Sequence, residues 1–387
     1  MKGVAGDPGR SGLPVESRKA TDRYDVVIVG ASFAGLAVAS RLRGRVLLVD
    51  KDVIGDGQTS ACGTLLEVPR RLGLMDSVLQ AQNGLVFHLQ DRTEVMDARD
   101  YPFCTFDYGR FCRDFANHLI VEILRASALR VEGSTVVTDR GRFAGTCIVD
   151  ASGWRAVLAR CLRPGYADQR RMSYGIETDV PSRGDSLCFW YDPRLVPSGV
   201  QWFFPCGSHV RVGVASYAGD AHLRGHLDIF TGSLEAPMER IHGGYFPAGL
   251  REPVVGSLFV VGDAAGQCLP FTGEGIRPAL YFGQACGDIV QAVIDGRHSL
   301  REGLLHYRRF VRRHGWMYRV MTLTQHALLR LPLAISSRLI GQICREPLRS
   351  RILPGYVRFA DPRVLLPLAP VGRELDKRPL ALADSRA

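Results

Sequence analysis

The stretch from Tyr24 to Asp50 restricts the fold of this chain more than any other part of the sequence. It reads YDVVIVGASFAGLAVASRLRGRVLLVD, in which two short apolar runs flank a glycine-bounded turn and an alanine-rich segment. This order predicts a β-α-β unit with two parallel strands. Gly30 would permit the tight turn after the first strand, and Gly35 would let the helix pack closely on that strand.

The turn of this unit also predicts a binding site for the phosphates of a dinucleotide. Free N–H groups and the helix dipole favour anions at the start of a helix, which would place Gly30, Ser32, Ala34 and Gly35 at the phosphates. Ser32 stands where the usual fingerprint has glycine, and its hydroxyl can bond a phosphate oxygen. Asp50 ends the second strand, where its carboxylate can accept hydrogen bonds from ribose hydroxyls.

A second glycine-rich motif follows far downstream. Residues 258–276 read LFVVGDAAGQCLPFTGEGI, which again indicates a strand, a loop and the start of a helix. Two nucleotide-type elements so far apart favour one long cofactor held by separate segments, and FAD suits this better than NAD. Gly262 and Asp263 would meet the ribityl chain. Gly273, Gly275 and Ile276 would place a helix N-terminus at the flavin pyrimidine ring, where a positive dipole stabilises the reduced flavin anion.

Composition indicates an ordinary soluble enzyme. The 387 residues are 46% hydrophobic and 23% charged, and this length suggests two or three domains. The ten cysteines include no Cys-x-x-Cys pair, which indicates reduced thiols and a cytoplasmic location. The histidines show no metal-ligand spacing, so no metal is expected. Residues 1–22 are rich in glycine and charge and lack an apolar segment, which predicts a flexible tail rather than a signal peptide or anchor.

Positive charge is concentrated at the C-terminal end. The formal net charge is +10, yet residues 301–387 alone carry 17 Lys and Arg against 6 Asp and Glu. Arginines there alternate with Leu, Val, Met and Trp316, a pattern typical of helices that rest on a membrane surface. We therefore expect a peripheral contact with an anionic membrane through residues 301–360 and no nucleic-acid partner. An acidic reduced ferredoxin would suit the same surface.

The pattern along the chain predicts an α/β fold, α+β overall, with three parts. A Rossmann-like FAD-binding domain would be built from the discontinuous segments 23–80, 106–165 and 253–298. An antiparallel-sheet substrate domain would comprise 81–105 and 166–252, and a C-terminal arginine-rich helical region would follow at 299–387. Within these parts, helical spacing over 110–127 and 275–293 predicts helices, and strands are expected at 142–150, 186–191, 200–204 and 210–216.

With these motifs, the chain resembles the geranylgeranyl reductase family of FAD-dependent oxidoreductases, within the p-hydroxybenzoate hydroxylase-like fold superfamily. The Thr-Gly-Glu-Gly-Ile ending at 272–276 is typical of prenyl reductases. The resemblance implies that Cys62 and Gly63 contact the flavin and that Arg110 touches FAD. It also implies substrate contacts from a Trp-x-Phe-Pro motif, here Trp202, Phe204 and Pro205.

The resemblance leaves the role of Cys62 open, and Val200 departs from the family pattern. Cys62 could act as a redox or proton-relay thiol, or it could pack as a small side chain against the flavin. Val200 stands where the family motif has tyrosine, so an aromatic hydroxyl is missing from the expected substrate site.

The resemblance implies reduction of carbon-carbon double bonds in a prenyl lipid or quinone side chain, by hydride transfer from reduced flavin. NAD(P)H or a reduced ferredoxin would supply the electrons. The alternative is an FAD-dependent monooxygenase acting on an apolar or aromatic small molecule; such hydroxylases usually carry Asp-Gly where this chain has Ser152-Gly153. A halogenase needs a tunnel lysine, and none occurs between Lys51 and Lys377. A non-enzymatic lipid- or membrane-binding protein would leave both glycine motifs unused.

Overall fold

The computed structural model describes residues 22–89, 92–235 and 237–370. Of the predicted tail at 1–22 only Asp22 is described, and residues 371–387 of the predicted C-terminal region also lie outside these ranges.

The described residues form helices and strands in the following order along the chain. Up to residue 106 they are β1 (Asp22–Val29), α1 (Phe33–Ala39), β2 (Val46–Asp50), β3 (Gly63–Leu65), α2 (Glu67–Leu72), β4 (Val78–Gln82), β5 (Gly84–Leu89), β6 (Arg92–Asp97) and β7 (Phe103–Phe106). From 107 to 216 they are α3 (Tyr108–Asn117), β8 (Glu122–Arg125), β9 (Ala128–Glu132), β10 (Thr135–Thr138), β11 (Gly141–Asp150), α4 (Val157–Leu162), β12 (Met172–Val180), β13 (Leu187–Tyr191), β14 (Gly199–Pro205) and β15 (Val210–Ser216). From 217 onward they are α5 (Arg224–Gly232), β16 (His242–Pro247), β17 (Val254–Val255), β18 (Leu258–Val260), α6 (Ile276–Ile294), α7 (Leu300–Arg313), α8 (Gly315–Arg330), α9 (Leu333–Cys344) and α10 (Arg349–Arg358).

An eight-stranded sheet carries the nucleotide-type motifs. Its main path is β17-β18-β11-β1-β2-β8, and β10 and β9 continue from β11 as antiparallel strands. The strands β18, β11, β1, β2 and β8 are parallel to one another, whereas β17 is antiparallel to β18. The carboxyl ends of β1, β2, β11 and β18 therefore meet at one edge, which is where ligands bind in open α/β sheets.

A seven-stranded sheet forms the second layer. Its order is β16-β12-β15-β14-β13-β5-β6, and all neighbours are antiparallel except β13 and β5, which are parallel. Strands β5 and β6 reach this sheet from the chain between the first two FAD-type segments. Strands β3 and β4 before β5, and β7 after β6, form a small third sheet in the order β3-β7-β4.

Close packing of α6 on α1 fixes the nucleotide-type turn against the second glycine motif. A Cβ atom at Gly283 would lie 2.6 Å from the Ala37 Cβ, and one at Gly287 would lie 2.5 Å from the Val38 carbonyl oxygen. Only glycine fits at these two positions, so the two helices approach nearly to backbone contact.

The helix predicted over 110–127 is too long and is corrected by the structure. Helix α3 ends at Asn117, and β8 pairs in parallel with β2. The β-branched residues Ile120, Val121 and Ile123 explain the difference, because branching at Cβ disfavours a helix and favours a strand.

In the chain, helices α7 to α10 come after the last strand of the eight-stranded sheet and after α6. Tyr307 of α7 is fully buried, and its hydroxyl donates to the Val260 carbonyl at the end of β18. Within residues 22–370, apart from the three that are not described, no helix combines the length and apolar character needed to cross a bilayer.

Candidate functional site

A cavity of about 1010 Å³ lies between the eight-stranded sheet, the seven-stranded sheet and helices α8 to α10. Ligand sites commonly measure about 300–1,000 Å³, so this one has room for a large ligand. One end is bounded by the carboxyl edge of the eight-stranded sheet. The other end is bounded by aromatic and aliphatic side chains.

Gly30 shapes the end of the cavity at the eight-stranded sheet. Its φ is +106°, and a Cβ there would lie 2.2 Å from the Ala151 carbonyl oxygen. Gly35 has a different task, since a Cβ there would lie 1.8 Å from the Gly30 carbonyl oxygen. Gly30 thus borders the cavity, whereas Gly35 holds helix α1 against the turn.

Ser32 and Asp50 complete this end. Ser32 is the N-cap of α1, and its hydroxyl accepts a hydrogen bond from Tyr108 at 3.1 Å. The Asp50 carboxylate accepts from the backbone N–H of Ala31 at 2.6 Å and of Asp52 at 2.9 Å. Asp50 is therefore held at the tip of β2, and it borders the cavity together with Ser32.

The second glycine motif faces the same cavity. Asp263 is half-buried there, and among the described residues no group donates a hydrogen bond to its carboxylate. Desolvation raises the pKa of Asp263 to about 6, despite the opposing charge of Arg251. Helix α6 begins at Ile276 with Gly275 as its N-cap, and both residues border the cavity. The free N–H groups at the start of the helix therefore lie at the cavity wall.

These features fit FAD. The glycine turn leaves space for a pyrophosphate, and the Asp263 carboxylate lacks a donor that ribityl hydroxyls would supply. Of the residues predicted to hold the cofactor, those that border the cavity are Gly30, Ser32, Ala34, Asp50, Cys62, Gly63, Gly262, Asp263, Gly273, Gly275 and Ile276.

Cys62 and Gly63 lie where the FAD-type end meets the seven-stranded sheet. Cys62 has a positive φ of 53° and is fully buried, and its Sγ donates to the Ser60 carbonyl at 3.2 Å. Burial raises the pKa of the Cys62 thiol well above its ordinary value, so the thiol stays protonated. A Cβ at Gly63 would lie 2.9 Å from the Phe204 ring, which therefore packs directly on this segment.

Besides Gly35, two predicted site residues do not border the cavity. The exposed Arg110 pairs with Asp76 at 3.1 Å and with Asp114 at 3.5 Å, on the solvent side of α3. The Pro205 carbonyl accepts from the Thr105 hydroxyl at 2.6 Å and so ties β14 to the small sheet. The structure therefore does not bring Arg110 or Pro205 to the cavity.

Strand alternation decides which residues of the aromatic motif meet the cavity. Side chains along a strand point to opposite faces in turn. Trp202 and Phe204 accordingly border the cavity, together with Val200, while Phe203 packs on the other face beside Gly184.

The far end of the cavity is apolar. Phe87 stacks on Phe189 with ring centroids 5.5 Å apart, and Tyr191 stacks on Phe271 at 5.9 Å. Helices α8, α9 and α10 close this end with the side chains of Met317, Val320, Met321, Ile340, Ile343, Cys344, Ile352 and Leu353. The C-terminal region is thus part of the site.

The loop of the second motif is tied to α10 by a buried ion pair. The fully buried guanidinium of Arg277 donates to both carboxylate oxygens of Glu274, at 2.8 and 2.7 Å. Tyr356 also donates to the Glu274 carboxylate, and Arg277 further donates to carbonyls at the end of α10, including that of Val357 at 3.0 Å. The prediction that Glu274 lies in the first turn of α6 is wrong, because α6 begins at Ile276 with Gly275 as its N-cap. Glu274 instead anchors the C-terminal helices.

Sequence reasoning missed one polar group in the cavity wall. Glu177 of β12 is 2% exposed, and its carboxylate lies 2.8 Å from the His242 Nε2 and accepts from the Trp202 indole at 3.1 Å. Its two partners, His242 and Trp202, are distant in sequence, so no local motif predicts these contacts.

A Rossmann-like sheet with two glycine motifs at one cavity, beside a second sheet that forms an apolar chamber, defines an FAD-dependent oxidoreductase. No protein-family model matches the chain. A digeranylgeranylglycerophospholipid reductase of Methanothermobacter thermautotrophicus is 33% identical over 334 residues, covering 74% of this chain and 82% of the relative.

Solved structures share the fold. A geranylgeranyl bacteriochlorophyll reductase-like protein of Thermoplasma acidophilum superposes with a TM-score of 0.77 at 16% identity, covering 88% of this chain and 97% of that one. A p-nitrophenol 4-monooxygenase of Pseudomonas putida gives 0.70 at 14% identity, covering 88% and 99%. From the sequence relationship, the chain belongs to the geranylgeranyl reductase family of FAD-dependent oxidoreductases.

Proposed function

We propose that this enzyme reduces carbon-carbon double bonds in the prenyl chains of a geranylgeranyl-type lipid or quinone. The observation that carries the proposal is the continuity of the cavity, which joins the FAD-type end to an aromatic and aliphatic chamber without a dividing wall. The name of the similar reductase from Methanothermobacter supports a prenylated glycerophospholipid as the substrate class.

The chain's own residues supply position and a dry environment. When bound and reduced, FAD supplies a hydride. An isolated alkene carries no polar group by which an enzyme could bind it, so the hydride and the proton can be added only if the double bond is held in place. The stacked rings of Phe87, Phe189, Tyr191 and Phe271 give a prenyl chain an apolar surface and exclude water. Val200 leaves more room beside them than the tyrosine of the family motif would.

We expect anaerobic turnover of a digeranylgeranylglycerophospholipid by the dithionite-reduced holoenzyme. The flavin absorbance should return as the lipid gains two hydrogens for each double bond reduced, which mass spectrometry measures. Geraniol is a suitable short control, because it fills little of the apolar chamber and should reoxidise the flavin more slowly. A flavin that stays reduced with the lipid would contradict the proposal, and a gain of oxygen in air would indicate a hydroxylase instead.

The electron donor of this proposed reaction is NAD(P)H or a reduced ferredoxin. The basic surface of α7 to α10 supports an acidic protein donor, since opposite charges speed association. Anaerobic reduction of the flavin by each donor separates them, because only the donor that the enzyme uses should reduce the flavin rapidly. A protein donor that binds the basic surface should also become slower as salt increases.

We further propose that α8 to α10 rest on an anionic membrane surface. Apolar side chains there are exposed, among them Leu323 at 69% and Trp316 at 56%, beside the exposed arginines Arg330, Arg338 and Arg351. Trp316 also borders the cavity, so this face lies at its edge. A lipid could then enter the chamber without crossing water.

Replacing Leu323 by aspartate should weaken binding to phosphatidylglycerol-containing vesicles by roughly 10- to 100-fold, because one fully buried leucine contributes about 1.5–3 kcal/mol. Vesicle co-sedimentation measures this. The matched control is Ile229→Asp on α5, since Ile229 has the same 69% exposure outside α8 to α10. Equal losses in both variants, or equal binding to pure phosphatidylcholine vesicles, would refute the membrane contact.

A further inference from the structure

A buried carboxylate in the cavity wall, that of Glu177, is paired with the half-buried imidazole of His242 behind it, and neither residue is among those predicted to hold the cofactor. Glu177 and His242 stand opposite each other in the register of β12 and β16, with 2.8 Å between Oε1 and Nε2. The other carboxylate oxygen accepts from the Trp202 indole at 3.1 Å, and the Gln58 amide lies 3.5 Å from Oε1. Trp202 in turn lies against Gly213, where a Cβ would meet its ring at 2.1 Å.

The pair spans the wall from one side to the other. Glu177 borders the cavity, whereas His242 is not among the residues around it and has 18% of its side chain exposed. Burying a carboxylate beside an apolar chamber is costly unless it is paired and hydrogen-bonded. A neutral acceptor would suffice to hold the Trp202 ring, so the charged pair calls for another explanation.

We propose that Glu177 donates the proton that completes each alkene reduction and that His242 replaces it. This inference rests on the proposed function. Reduction of one double bond adds a hydride to one carbon and a proton to the other, while the π bond breaks and two C–H bonds form. The electron pair comes with the hydride from reduced flavin. The Glu177 carboxylate takes a proton from the His242 imidazolium and passes it to the alkene carbon, and His242 is then reprotonated by solvent.

The surroundings favour the protonated form of His242. Burial lowers the pKa of His242, but its hydrogen bond to Glu177 and the nearby charges of Glu177 and Asp179 raise it more, so the net pKa lies above its ordinary value. Other charged or titratable groups interact with Glu177 or Asp179, namely Arg211, Cys62 and His209. Arg211 lies 3.6 Å from Asp179, and His209 lies 3.7 Å from it. The imidazolium, and with it the reaction rate, is therefore lost as pH rises through this raised pKa.

Cys62 is the competing donor. It also borders the cavity, but burial raises its thiol pKa well above the usual range, and its Sγ donates only to the Ser60 carbonyl. That contact offers no route by which the thiol could regain a proton from solvent.

The test follows reoxidation of dithionite-reduced holoenzyme by a digeranylgeranylglycerophospholipid under anaerobic conditions, as a function of pH. Glu177→Gln keeps the size of the side chain and should slow reoxidation by about 100-fold or more, as expected for loss of a general acid. His242→Gln should slow reoxidation less and remove the fall in rate at alkaline pH. Flavin content and the rate of flavin reduction by dithionite should match the wild type.

A second readout does not require turnover. The ¹⁵N-histidine NMR titration of the holoenzyme should give His242 a pKa above its ordinary value, and Glu177→Gln should lower it. His209→Gln is the matched control, because His209 also pairs with a carboxylate of β12 but lies away from the cavity. It should change neither the rate nor the pH profile.

The outcomes separate the two proposals. If the lipid does not reoxidise the wild-type flavin, the proposed function fails. If the wild type reacts and Glu177→Gln reacts within a few-fold of it, or the alkaline fall persists in His242→Gln, the function stands and the proton path is wrong. A loss of rate on Cys62→Ser as large as that of Glu177→Gln would assign the proton to the thiol.

Discussion

Replacing Gly30 by alanine is expected to yield protein that purifies without flavin. Gly30 has a φ of +106°, and the added methyl carbon would lie 2.2 Å from the Ala151 carbonyl oxygen and 3.1 Å from the Ser152 nitrogen. Backbone atoms cannot rotate away as side chains do, so β1 and β11 must separate at the edge where the pyrophosphate would bind. The strained φ alone costs about 1–3 kcal/mol. The ratio of flavin to protein absorbance measures the loss, and circular dichroism reports whether the fold survives.

The control for this variant is Gly133→Ala. Gly133 also has a positive φ, +60°, but a Cβ added there, in the turn between β9 and β10, would meet nothing within 4 Å. Gly133 shares the positive φ, although +60° lies in the left-handed region that other residues can adopt, and it lacks the collision at the cavity. Full flavin content in Gly30→Ala, or equal flavin loss in the two variants, would show that this turn does not hold the cofactor.

Replacing Arg277 by methionine should lower the free energy of unfolding by about 3–5 kcal/mol. Removing one member of a buried ion pair leaves the other charge buried without its partner, and losses of this size are typical. Here Glu274 would lose both guanidinium hydrogen bonds, and the carbonyls that end α10 would lose their donor. Urea unfolding of the holoenzyme measures the change.

Two further variants test this explanation. Arg277→Met combined with Glu274→Gln should recover part of the loss, because the neutral amide carries no unpaired charge. Arg297→Met removes a pair with Asp295 in which the arginine side chain is 61% exposed, and stability should stay within experimental error. A loss for Arg277→Met no larger than that for Arg297→Met would mean that the buried pair does not fasten α10 to the cofactor loop.

The nucleotide-type turns could be predicted from sequence because their determinants are local. Glycines at fixed spacing, two apolar runs and a terminal aspartate lie within 27 residues, and the structure places Gly30 and Asp50 at one cavity. Asp263 and the start of α6 were predictable for the same reason. The strand at 122–125 was not, since helical spacing and β-branched residues compete there and pairing with β2 decides the outcome.

The remaining parts of the site depend on distant pairings. Glu177 and His242 are 65 positions apart in sequence, and they are in contact only because β12 and β16 are neighbouring strands. Arg110 carries the expected residue type in the expected place, but nearby Asp76 and Asp114 hold its side chain at the surface. The sequence does not predict that α8 to α10 close the chamber, because it shows only apolar residues between arginines in this region.

The order of strands in the eight-stranded sheet has a consequence for synthesis of the chain. Strand β18, at residues 258–260, pairs with β11, and α6 beyond it packs on α1. A nascent chain that ends before these residues has the first glycine turn but neither Asp263 nor the helix that braces it. Contacts of such long sequence separation form late. The ribosome must therefore release most of the polypeptide before a flavin can be captured, and until then the apolar chamber has no cover.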